Sequence, residues 1–270
     1  MSLILSPVIT SSSNPQFKTL AKWVGSSRER RLSGFSLLDG IHLIQAYDQH
    51  QGSPERLIVS ESGLLVPEIQ SLISAHPSVC ILSDLLFKQI STLQTPSGVI
   101  GLIKTPLAQA LPTQLENCVL LEDIQDPGNL GSILRTCAAT GIGQVFLSPH
   151  SVFAWAPRVL RAGMGAHFSL QIFESCDLEA IVERFPGEVL VTQKQAQYNL
   201  FECDLTGPIA LILGNEGAGV SQALAQKASR CVCLPMKEGA AESLNVAAAA
   251  AVCLYERFRQ VGFKARSSLP

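Results

Sequence analysis

Charge is scarce in this chain. Only 16% of its 270 residues are charged, and the formal net charge is −2. A protein that holds nucleic acid by bulk positive charge is therefore excluded, leaving only local basic clusters for that task. There is no Cys-x-x-Cys pair, and the eight cysteines fall mostly inside apolar runs, which excludes a disulfide framework and fits buried thiols in a reducing compartment. The five histidines are scattered, without Cys/His spacing for a metal, so no metal site is expected. No basic segment followed by a long apolar core opens the chain. The longest notable apolar run, Val246 to Leu254, is about half of the ~20 residues a membrane span needs. A soluble, cytoplasmic protein is the expectation. Also missing are a Walker A loop, a Gly-x-Ser-x-Gly elbow, a His-Glu-x-x-His helix and a Gly-x-Gly-x-x-Gly turn after a strand.

What is present is apolar substance. A hydrophobic content of 47% indicates a well-buried globular chain. Residues 1–104 alternate short strands and helices, as in a small α/β sandwich. Asn14-Pro15 reads as a helix cap followed by proline at the first helical position. Lys18, Lys22, Arg28, Arg30 and Arg31 concentrate there, opposed before residue 41 only by Glu29 and Asp39. Such a cluster can contact phosphates, or it can be a solvated helix face. Residues 105–116 carry two prolines without a clear period and read as a linker. Residues 117–270 alternate continuous apolar strands with helices, the pattern of a parallel sheet buried on both faces.

Three polar stretches in that second unit stand at expected strand ends, where ligands bind in open α/β sheets. The first runs from Leu121 through Asp126-Pro-Gly-Asn129 to Arg135. Turn chemistry explains Pro127 and Gly128, and Asn129 has the chemistry of a helix cap. Arg135, after an apolar Ile-Leu pair, calls for a partner, often a carboxylate or phosphate, and reads equally as a functional or a structural residue. The second is Leu213-Gly-Asn-Glu-Gly-Ala-Gly219, whose three glycines permit a tight turn close to a ligand. The third joins Leu234-Pro-Met236 to Glu242-Ser-Leu-Asn245, with Ser243 expected as the cap of a helix over Ser243–Arg259.

Together, over about Val119 to Glu256, these motifs resemble the SpoU (TrmH-type) branch of the SPOUT superfamily, RNA ribose 2′-O-methyltransferases that use S-adenosylmethionine. Ile9-Thr-Ser, Asn14-Pro, Lys18 and Leu38-Asp-Gly40 resemble the small ribosomal-protein-like substrate-binding domain common in that family. Asp39 stands where the family usually has Glu, and Gly163 where it often has Ser. The resemblance implies a catalytic domain tied in a deep trefoil knot, and a homodimer. It implies Arg135, Asn129, Glu216, Ser243 and Asn245 as the catalytic set. Asn129 would orient the ribose or Arg135, and Glu216 would face the cationic cofactor or hold Arg135. Thr192, Leu213, Gly214, Asn215, Gly217, Leu234, Met236, Ser243 and Leu244 would hold the cofactor. Arg158 and Arg161 would meet RNA near the site, beside the N-terminal cluster. Ribosomal RNA is favoured as substrate. A transfer RNA methyltransferase and a non-catalytic RNA-binding protein on the same fold are the alternatives. A nicotinamide-dependent oxidoreductase lacks its phosphate fingerprint.

Overall fold

A computed structural model describes residues 7–106, 110–237, 239 and 242–262. Part of the expected linker, 107–109, and the end of the expected second domain, 263–270, lie outside the described residues. The chain runs α1 (Pro15–Gly25), α2 (Ser27–Ser33), β1 (Phe35–Asp39), α3 (Ile41–Gln51), β2 (Arg56–Ser60), α4 (Pro67–Ala75), β3 (Val79–Leu82), α5 (Asp84–Ile90) and β4 (Val99–Lys104). It continues with β5 (Cys118–Leu121), α6 (Pro127–Ala139), β6 (Gln144–Leu147), α7 (Pro157–Gly163), β7 (Gln171–Phe173), α8 (Leu178–Arg184), β8 (Glu188–Thr192) and β9 (Tyr198–Asn199). Last come β10 (Ile209–Leu213), α9 (Gln222–Lys227), β11 (Arg230–Cys233) and α10 (Val246–Val261).

The chain divides into two compact units: Met1–Leu107 with Phe153–Phe168, and Ala108–Val152 with Ser169–Pro270. The sequence reading differs here, because it runs the second unit without a break from residue 117. Helix α7 packs on β1 of the first unit. Its periodicity marks an apolar face but does not say which core that face meets.

The first unit holds a four-stranded sheet in the order β1-β4-β2-β3, antiparallel except between β2 and β3. Its core gathers Phe17 and Leu20 of α1, Leu86 and Phe87 of α5, and Ile58, Leu82 and Ile100 from the sheet. Helix α1 starts as its sequence dictates: Asn14 Oδ1 accepts the Gln16 amide at 2.9 Å, with proline next to the cap.

The second unit holds a seven-stranded, all-parallel sheet in the order β7-β6-β5-β10-β8-β11-β9. Every residue of β5, β6 and β10 is buried, as continuous apolar strands covered on both faces require. β10 lies between β5 and β8, so the chain crosses to the far edge at β9, returns to the middle, and then leaves again to β11. Parallel pairing places the ends of β5, β10, β8 and β11 on one side, and the three polar stretches with them.

Candidate active site

The site begins where β5 and β10 end together. The Glu122 amide donates to the Leu213 carbonyl at 2.9 Å, extending the pairing by one residue. Beyond it the 214–221 loop folds back onto its own start. A Cβ on Gly214 would stand 2.3 Å from the Gly219 carbonyl carbon and 2.4 Å from the Val220 nitrogen, so only glycine fits. Asn215 is the hub of this loop. Its Oδ1 accepts the amides of Gly217 and Ala218, each at 2.9 Å, and its Nδ2 donates to the Asp123 carbonyl at 2.9 Å. Glu122 Oε2 accepts the Ser221 amide at 2.7 Å, closing the loop from the other side.

A chain of side-chain hydrogen bonds joins all three polar stretches. Asn245 Nδ2 donates to Asn129 Oδ1 at 2.9 Å, and Asn129 Nδ2 donates to Glu216 Oε1 at 3.0 Å. The same carboxylate accepts the Gln125 amide at 3.3 Å and the Asp126 amide at 3.2 Å. Burial alone would raise the Glu216 pKa, but these donors and its own backbone outweigh it and hold the group below its ordinary value. Glu216 is therefore an ionised brace at the start of α6, with Asn129 as the link between two loops.

Two caps differ from expectation. Asp126 Oδ1, not Asn129, caps α6 by accepting the Asn129 amide at 2.8 Å. Asn245, not Ser243, caps α10, which starts at Val246; its Oδ1 accepts the Ala247 and Ala248 amides at 2.9 and 3.3 Å. In both cases the residue before the first helical amide does the capping, and sequence alone offered two polar choices three or fewer residues apart. Ser243 is exposed ahead of the helix.

Arg135 is exposed on α6, six residues or about 9 Å along the axis from Asn129. Among the described residues it bonds neither to Asn129 nor to Glu216, whose side chains bond to each other. Of the expected cofactor residues, Leu213 and Gly214 are buried at the strand end, while Thr192, Asn215 and Leu234 are half-buried and Gly217, Met236 and Leu244 exposed. Thr192 Oγ1 donates to the Ile212 carbonyl at 3.3 Å, tying the β8 end to β10.

The basic residues separate. Lys18, Lys22, Arg28, Arg31 and Arg158 are exposed. Arg30 is not: it is 4% exposed, and its guanidinium turns back to the Trp23 and Val24 carbonyls and the Ser27 hydroxyl. It satisfies the C-terminal carbonyls of α1 and leaves the phosphate-facing set. Arg161 belongs to the first unit, where its Nη1 donates to the Thr92 carbonyl at 3.0 Å.

Residues the sequence reading missed are Glu122, Asp123 and Ser148. Asp123 has φ 54° without being glycine, and Ser148 lies buried at the end of β6. The only sequence signal was an Asp after a strand, a residue type that tolerates left-handed backbone. No group of three or more His, Cys, Asp or Glu side chains able to hold a metal occurs among the described residues, and no described helix is long and apolar enough to cross a membrane.

Residues 116–255 match the model of the SpoU rRNA Methylase family, and residues 14–101 that of the MRM3-like substrate binding domain. The chain is 33% identical over 260 residues to an uncharacterized tRNA/rRNA methyltransferase of Synechocystis, covering 93% of each. It is 30% identical over 252 residues to the 23S rRNA (guanosine(2553)-2′-O)-methyltransferase of Bacillus subtilis, covering 92% of this chain and 97% of that one. Among solved structures, it matches an RNA 2′-O ribose methyltransferase with a TM-score of 0.82 at 30% identity, covering 94% and 99% of the two chains. It matches the SpoU methyltransferase AviRb of Streptomyces viridochromogenes, in complex with its cofactor AdoMet, with a TM-score of 0.83 at 25% identity, covering 92% and 98%. The chain belongs to the SpoU rRNA methylase family.

Proposed function

We propose that this protein transfers a methyl group from S-adenosylmethionine to a ribose 2′-hydroxyl of ribosomal RNA. The observation that carries the reading is the Glu216–Asn129–Asn245 chain of hydrogen bonds, which ties three loops at one sheet end and includes the helix that carries the exposed Arg135. Two relatives named as 23S rRNA enzymes act on different bases, guanosine in Bacillus subtilis and uridine in Streptomyces viridochromogenes. What those names share is the ribose oxygen, so the ribose and not the base is the common chemistry.

The strand-end loops fit a nucleoside cofactor. Gly214 lets two backbone segments approach closely, and Met236 and Leu244 expose apolar side chains in the third polar stretch. Thr192, Leu213, Gly214, Asn215, Gly217, Leu234, Met236, Ser243 and Leu244 would hold it. When bound, S-adenosylmethionine supplies a methyl group activated by its sulfonium. The Arg135 guanidinium would stabilise charge developing on the attacking oxygen and grip the adjacent phosphate. Asn129 and Asn245, already fixed by their bonds, orient the ribose, and Ser243 completes the polar rim. Such fixed groups contribute mainly by positioning.

The first unit takes the RNA. Lys18, Lys22, Arg28, Arg31 and Arg158 offer exposed charge, with Arg31 held 4.7 Å over the Phe153 ring. In this reading residues 1–104 with α7 bind substrate, 105–116 link, and 117–270 otherwise carry catalysis. The insertion of β10 between β5 and β8 supports a threaded, knotted C-terminal half. Exposed Val252 and Tyr255, three residues apart on α10, support a homodimer, and the rRNA substrate supports a cytoplasmic place of work. Arg135→Ala tests the reading. S-adenosylmethionine binding by calorimetry should persist while methyl transfer to ribosomal RNA is lost; unchanged transfer would remove Arg135 from the mechanism.

A further inference from the structure

We infer that Asp123 and Ser148 form a latch that positions the cofactor loop, with Asp123 as a positioning residue of the transferase site; this rests on the methyltransferase reading above. Three described non-glycine residues have left-handed backbone: Asp123, Met164 and Ser175. Met164 needs no further account, since it is the C-terminal cap of α7. Asp123 ends no helix. It stands two residues past β5, in the segment that carries Asp126 and Asn129, and strain of this kind gathers at functional sites.

A reciprocal pair of bonds holds it there. The Asp123 amide donates to Ser148 Oγ at 2.8 Å, and the Ser148 hydroxyl donates back to Asp123 Oδ1 at 2.5 Å. Ser148 is itself fixed, because its amide donates to the Leu121 carbonyl at 3.0 Å. With the backbone so turned, the Asp123 carbonyl accepts from Asn215 Nδ2, and Asn215 Oδ1 in turn accepts the consecutive amides of Gly217 and Ala218. Glu216 lies within that loop and braces Asn129. Freed from Ser148, Asp123 would relax to the more populated extended region, its carbonyl would swing away, and the loop would lose its anchor.

The test uses four variants of the full chain. Asp123→Gly permits the left-handed backbone but deletes the carboxylate that holds it there, Ser148→Ala deletes the hydroxyl, and Asp123→Asn keeps both backbone tolerance and an acceptor oxygen. Ser36→Ala removes a buried hydroxyl bonded to Thr105 in the first unit and serves as a stability control. S-adenosylmethionine affinity by calorimetry should fall about tenfold in Asp123→Gly and Ser148→Ala, recover most of that loss in Asp123→Asn, and stay unchanged in Ser36→Ala despite a lower melting temperature. Amide hydrogen exchange at Gly217 and Ala218 should quicken in the first two. Wild-type affinity in both Asp123→Gly and Ser148→Ala overturns the latch. If the wild-type chain binds no S-adenosylmethionine, the methyltransferase reading falls instead, and the exchange rates at Gly217 and Ala218 still decide the latch.

Discussion

Glu216→Gln isolates what one negative charge does at the site. The carboxylate accepts three donors, the amides of Gln125 and Asp126 and the side chain of Asn129. Glutamine has the same length but one acceptor oxygen. Placing that oxygen at the Oε1 position keeps Asp126 and Asn129 and turns an NH2 toward the Gln125 amide, donor against donor. A hydrogen bond to a charged group contributes about 1 kcal/mol more than a neutral one. Glu216 is exposed, so solvent screens part of this, and the combined cost should be about 1–2 kcal/mol. If that loss falls on the aligned Asn129, methyl transfer slows by about 5- to 30-fold. The melting temperature of the unit should fall by about 2–8 °C. Because the folded-state pKa of Glu216 lies below its ordinary value, its contribution is present above the unfolded value of about 4.3 and is lost as pH falls through the folded one. The deficit of Glu216→Gln should therefore be constant from about pH 5.5 to 8 and shrink only in stronger acid. Labelled methyl incorporation into ribosomal RNA, with thermal unfolding in parallel, measures both. A variant as fast as wild type at neutral pH, or a deficit that vanishes near pH 6, would refute the bracing role.

Three further outcomes follow from the same geometry. Gly214→Ala, whose Cβ would collide with the Gly219 backbone, should cost about 3 kcal/mol in denaturant unfolding and abolish cofactor binding. Arg30→Ala should destabilise the first unit without changing the salt dependence of RNA binding, whereas neutralising Lys18, Lys22 and Arg28 should reduce that slope by roughly one per lost phosphate contact; matching slopes in the two sets would count against the division. Burial, opposed by a bond to the Ala154 carbonyl, pushes His167 down to about 4, so its unfolded form takes up a proton first. Stability is then complete above about pH 6.5 and falls by up to about 3 kcal/mol toward pH 4; His167→Gln should flatten that acid branch in pH-dependent melting.

Much of the site was legible because its residues stand at strand ends, and apolar runs locate strand ends well. Leu121, Leu213 and the close of β11 were placed by hydrophobic continuity alone, and parallel pairing then brought the polar stretches to one side. What could not be read was direction and ownership. Charge along a sequence does not reveal that Arg30 folds back onto the preceding helix while Lys18 faces out. The pattern of α7 shows an apolar face without naming the core it joins. Adjacent polar residues compete for one cap, so Asp126 and Asn245 took positions first given to Asn129 and Ser243. The Asp123–Ser148 pair spans two strand ends and depends on a backbone angle that no residue type announces by itself.

The central placement of β10 has a consequence for how the molecule is made. Its two neighbours, β5 and β8, are both synthesised before Ile209, yet they must stand two strand spacings apart, about 10 Å, in the finished sheet. Early zippering of those neighbours to each other would seal the berth and have to be undone. Assembly therefore waits on a latecomer, and the non-local pairing that results is the slow kind. Every polar loop of the transferase site hangs from that berth or its rim, so a half-grown chain has no site to expose.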